Sequence, residues 1–172
     1  MKNKKITIDL SVSSIDDAIQ QIENISRSLE EKTNDLSKRL AEIGLNVAKI
    51  TFSSAQYDGD NDVSVKIEQR DDETYAVVAT GASVLFIEFG SGVMMGQSEY
   101  GTQYGMGAGT YPIPPGKGHW NDPNGWYLPK DVQSLTGKKK SFGNPPAGAM
   151  YAAVKEIEIE CERIVREVFA VD

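Results

Sequence analysis

The sequence predicts an α+β fold in one domain. A small antiparallel sheet of three or more strands packs against a long N-terminal helix and a C-terminal helix, with a long irregular loop at residues 93–144. Three observations lead there. Apolar residues recur every seven positions from Ile15 to Ile50, which is a helical period. They alternate with polar residues over 4–12 and 63–68, the period of a strand with one wet face. From residue 93 to 144 neither period survives.

In residues 4–12, Ile6, Ile8, Leu10 and Val12 alternate with polar neighbours, and a first strand is expected there. Ser14 offers an N-cap oxygen and Asp17, three positions on, completes a capping box, so a helix is expected from about 14 to about 53. Ile15, Ile22, Leu29, Leu36, Ile43 and Ile50 form one seam, with Ile19, Ile25, Leu40 and Val47 in a second. Such a helix would run on the order of 55 to 60 Å, longer than one domain of this size needs to cover its own core. Part of it is expected to leave the globule or pack on a neighbour. Lys32, Thr33 and Arg39 interrupt the second seam, and Gly44 is a soft spot in the helix.

Residues 57–62, Tyr-Asp-Gly-Asp-Asn-Asp, form a turn by composition. Their acidic spacing is reminiscent of a calcium loop, but no glutamate closes it at the twelfth position, so calcium is not expected. Val63, Val65 and Ile67 then alternate with Ser64, Lys66 and Glu68, a polar turn follows at 70–73, and 74–79 returns as the second arm of a hairpin.

Next comes Leu85-Phe86-Ile87-Glu88-Phe89-Gly90-Ser91-Gly92, an apolar run that carries one acid and stops in two glycines. A carboxylate between Ile87 and Phe89 must be paired if it is buried. Glu88 is expected to accept backbone N–H groups, those of the glycine turn being nearest in sequence, and to fix the root of the loop. That loop carries Tyr100, Tyr104, Tyr111, Trp120, Trp126 and Tyr127, residue types that supply interface energy, and it is expected to order on a partner. Pro145-Pro146 opens the last helix, with Met150, Val154, Ile157, Cys161, Ile164 and Val168 as its apolar stripe.

The composition excludes several functions. At 172 residues, with 40% hydrophobic and 25% charged residues, the chain can bury one real core. A net charge of -7 argues against a grip on nucleic acid phosphates, and the one basic cluster, Lys138-Lys139-Lys140, reads as a solvated loop run. No phosphate-cradling glycine loop is present, since Gly90-Ser91-Gly92 and Gly116-Lys117-Gly118 lack its spacing. One histidine, His119, and one cysteine, Cys161, give neither a disulfide nor a zinc site, and a catalytic pairing of the two is not expected. No cofactor and no enzyme activity are expected. Neither a signal peptide nor a membrane span is evident, which points to synthesis in the cytoplasm.

The order long helix, hairpin, Phe86-Ile87-Glu88-Phe89-Gly90-Ser91-Gly92, irregular loop with Trp126-Tyr127, then Gly143-Asn144-Pro145-Pro146 leading through Met150 into a final helix resembles the tailed-phage head-tail joining proteins, also called tail-completion or neck proteins. Where that family commonly shows a Pro-Phe-Met step, this chain has Ala147-Gly148-Ala149-Met150, and its loop at 93–118 is longer and richer in Gly, Tyr and Met. The resemblance implies a virion structural subunit, made in the host cytoplasm and placed at the head-tail junction. It implies a homo-oligomeric ring, six-fold or twelve-fold, between head-connector and tail proteins, with DNA passing through the lumen unbound and no membrane contact. The expected interface residues are the six loop aromatics together with Leu29 and Leu36 of the long helix. A tail-terminator ring is the alternative, and a small cell-wall hydrolase with Glu88 and Asp122 as its acid pair is a third reading.

Overall fold

The computed structural model describes residues 6–9, 11–92, 126–127 and 140–170. In chain order the elements are helix α1 (Val12–Ser54), strands β1 (Ser64–Gln69) and β2 (Tyr75–Thr80), short helix α2 (Val84–Glu88), strands β3 (Trp126–Tyr127) and β4 (Lys140–Ser141), and helix α3 (Ala149–Val168). The architecture is α+β.

At 43 residues, α1 is about 65 Å long. Its N-cap is Ser11, whose hydroxyl accepts the backbone N–H of Ser14 at 3.3 Å. The cap expected at Ser14 therefore lies three residues too late. Asp9 wins for Ser11 because its own carboxylate accepts the Ser11 N–H at 3.0 Å, while Ser14 Oγ reaches back to the Asp9 N–H. That knot replaces the expected strand: residues 6–9 lie outside any strand, with Thr7, Ile8 and Asp9 exposed.

β1 and β2 pair antiparallel with Val65 opposite Ala79 and Ile67 opposite Val77, so the predicted hairpin forms in the register its apolar alternation demands. Asp71 shapes the turn by accepting the N–H groups of Glu73 and Thr74. Among the described residues this sheet has two strands, and β3 and β4 form a separate pair.

α1 and α3 run antiparallel. Arg39 pairs with Glu167 near the C-terminal end of α3, and a Cβ added at Gly44 would sit 2.7 Å from Ile157 Cδ1. Gly44 is thus a contact point and no mere weak spot, because its bare backbone lets Ile157 and Val77 close over the helix. The core joins Ala48 and Phe52 of α1, Val65 of β1, Ile87 of α2 and Ala149 and Ala153 of α3. The α3 stripe is rotated from expectation: Ile164 and Val168 are buried with Ala149 and Ala153, while Val154 is 51% exposed.

α3 has 20 residues and so covers about 30 Å, less than half of α1. With Arg39 level with the last turn of α3, the part of α1 before about residue 35 runs on beyond it. None of the described helices is long and apolar enough to cross a membrane.

Candidate functional site

The segment 85–92 is not a strand end. Val84–Glu88 forms one turn and a half of helix, held at both ends by carboxylates. At its start Asp62 accepts the N–H of Ala82 at 2.7 Å and of Ser83 at 2.9 Å, and also the Ser83 hydroxyl. The Ser83 hydroxyl, followed by the Ser83 and Ala82 N–H groups, holds the Asp62 carboxyl down to about 2. The acidic turn at 57–62, which has a calcium-like spacing, therefore supplies a bracket for α2. Gly81 at φ +144 makes room, since a Cβ there would meet the Asp62 carbonyl at 2.8 Å.

At the other end Glu88 is 5% exposed. Its Oε2 accepts the N–H of Met150 at 3.0 Å and its Oε1 that of Tyr151 at 3.2 Å. These are the second and third amides of α3, whose own N-cap, Gly148 at φ 60, has no side chain to offer. Glu88 performs that capping from another helix, where the positive end of the α3 dipole favours a carboxylate. The expectation that Glu88 binds backbone amides holds; the donors belong to the last helix, and the glycine turn does not supply them. Main-chain bonds run alongside, with the Ala147 N–H donating to the Ile87 carbonyl at 2.8 Å and the Gly148 N–H to the Glu88 carbonyl at 3.1 Å.

Beyond Glu88 the backbone enters a clasp. The Ser91 N–H donates to the Asn144 carbonyl at 2.9 Å, and Ser91 Oγ accepts both the backbone N–H and the side-chain amide of Asn144, at 3.1 and 3.0 Å. Asn144 Oδ1 in turn accepts the Asp58 N–H at 2.8 Å, and Ser141 Oγ donates to Asp58 Oδ2 at 2.9 Å. The fit leaves no space for a methyl group: a Cβ on Gly143 would lie 1.9 Å from the Ser91 carbonyl, and one on Gly90 2.7 Å from that of Asn144. Residues 91 and 144 are thereby fastened together, which brings the two ends of the long intervening segment to one point.

Of the expected site residues, Ile87, Glu88, Gly90, Ser91 and Gly92 are buried in this assembly, while Phe86 and Phe89 are half-buried. Tyr100, Tyr104, Tyr111, His119, Trp120 and Asp122 lie outside the described residues, and Trp126 and Tyr127 are described only as strand β3. Asp58, Asp62, Ser141, Asn144 and Gly148 escaped the sequence reading. Asn144 carried a signal, a polar residue held between a glycine and two prolines, whereas Asp62 was hidden among the other acids of its turn.

A second feature lies on α1. The face that meets the core is lined by Ala41, Gly44, Ala48 and Phe52. The heptad stripe of Leu36, Ile43 and Ile50 lies roughly 150° round the helix from it. Ile50 is 67% exposed, and on the projecting part Ile15, Ile19, Ile22 and Leu29 are 45 to 56% exposed. Leu36 is half-buried. Among the described residues no group of three or more His, Cys, Asp or Glu side chains could hold a metal ion.

No family model, curated protein or solved structure matches this chain.

Proposed function

We propose that this chain is a structural ring subunit of a tailed phage or phage-tail-derived particle, acting at the head-tail junction without catalysis. The observation that carries the reading is the uncovered stripe on α1. A helix that leaves Ile15, Ile19, Ile22, Leu29 and Ile50 exposed, outside the face that meets its own core, is shaped to pack on another molecule. The resemblance of Phe86–Gly92 and the proline-led last helix to the joining proteins supports the same reading, because these two motifs meet through Glu88. The buried Glu88 carboxylate, facing helix amides, is poorly placed to meet a polysaccharide, which disfavours the hydrolase.

The test is electron microscopy of particles assembled with and without the chain. Full heads and complete tails that fail to join are expected in its absence. Normal particles, or lysis defects that track with Glu88→Gln while joining is intact, would refute the reading.

A further inference from the structure

We infer that residues 4–10 of one subunit add a strand to the free edge of β1 in a second copy of this chain. The inference deepens the ring reading and rests on it only in requiring a second copy.

The alternating Ile6, Ile8 and Leu10 are built for a sheet with one dry face, yet Ile8 is 55% exposed and residues 6–9 join no strand in their own subunit, where Asp9 is held only by Ser11 and Ser14. They cannot reach their own hairpin. The near end of the hairpin, where Glu73 and Tyr75 share a cleft with Ser37 and Leu40, still lies about 37 Å along α1 from Val12. Residues 4–11 span at most about 28 Å when fully extended. The helix therefore holds this strand away from the β1–β2 hairpin of its own chain, and a neighbour's hairpin is the partner it can meet.

That sheet has an open place. With the Arg70 N–H donating to the Thr74 carbonyl, the alternation of an antiparallel ladder turns the backbone groups of Val65, Ile67 and Gln69 away from β2. Among the described residues no strand pairs with that edge. The β2 side is flanked by α3, where Val77 and Ile157 meet over Gly44. The β1 side instead borders a cleft of about 670 Å³ lined by Lys49, Ile50, Ser53, Val63 and Ser64, with Ile50 67% exposed on its wall. A strand laid along β1 would set an Ile6, Ile8 and Leu10 face against Ile50 and Val63 and satisfy the edge amides.

Charge agrees. The donated segment opens with Lys4 and Lys5, and Lys2 precedes it. Exposed Asp60 stands before β1, and exposed Asp72 and Glu73 stand after it, so the lysines meet carboxylates whichever way the strand runs. The contact is head to tail, each copy giving a strand at one end and taking one at the other, and such a contact closes into a ring when its rotation divides a full turn.

The experiment mixes unlabelled and ¹⁵N-labelled full-length chain, cross-links lysines and reads peptides by mass spectrometry, with native mass spectrometry on the same samples. Mixed-isotope links from Lys4 or Lys5 to Lys66 are expected. Ile6→Asp with Ile8→Asp should abolish them and reduce the assembly to the 18.8 kDa chain, with the helical circular dichroism unchanged. An assembly whose mass survives that double substitution, or whose N-terminal lysines link only within one chain, overturns the exchange and leaves the ring standing. A chain that remains at 18.8 kDa at every concentration reached overturns both.

Discussion

The Glu88 carboxylate accepts the backbone N–H of Met150 at 3.0 Å, so a side chain at the end of one helix closes the first turn of another 62 positions later. Removing it leaves two partly buried amides of α3 without that acceptor. Glu88→Ala should destabilise the chain by about 3 kcal/mol, since a lost cap and an unmet, partly buried donor add. Urea unfolding measures the loss, and hydrogen exchange should quicken first at Met150 and Tyr151. Glu88→Gln keeps one acceptor oxygen and should do less.

Gly143 is fixed both by space and by conformation, with φ +105 and the Ser91 carbonyl in the path of any Cβ. Gly143→Ala should open the clasp and cost more than about 2 kcal/mol. Proteolysis should then cut more readily near residues 91 and 144 than in the wild type.

At Gly44 two effects oppose. Alanine gains about 1 kcal/mol of helix propensity but places its Cβ 2.7 Å from the Ile157 tip. Gly44→Ala alone should be close to neutral, as the Ile157 side chain can turn. Combined with Ile157→Val, which removes the clashing atom, it should be more favourable than the sum of the two single changes, and a double-mutant cycle of melting curves reads the difference.

Asp62 offers a pH test. Its carboxyl is lowered from 3.8 to about 2 by the Ser83 and Ala82 donors. A depressed folded value means stability that is present above about pH 4 and is lost as pH falls towards 2, because the unfolded chain takes up the proton first. Asp62→Asn should flatten that part of the stability profile, measured by chemical unfolding from pH 5 to pH 2.

The α1 stripe separates folding from assembly. Ile22 and Leu29 are 56% and 47% exposed in the single subunit. Changing both to glutamine should move unfolding by no more than about 0.5 kcal/mol per site. The same change should lower the mass of the assembly in sedimentation and block particle joining.

The two long helices and the hairpin were legible because each carries its period over many residues. α2 was not, since five residues cannot display a helical period against a strand one. Alternation at 4–12 pointed to a strand that the Asp9, Ser11 and Ser14 knot displaces in the single subunit. The heptad of α1 marked a helix correctly but not its inward face, which Ala41, Gly44, Ala48 and Phe52 occupy. Glu88 could be read as an amide acceptor from its apolar flanks. Its donors could not be read, because no local pattern encodes a partner 62 residues away.

The clasp between Ser91 and Asn144 closes the base of the chain that runs between them. Since both ends are anchored at one spot, doubling the length of the inserted chain changes folding stability by only about 0.6 kcal/mol through loop closure. An insert of different length at this place should therefore leave the helices and hairpin as they are, provided that the Ser91, Ser141 and Asn144 contacts are kept.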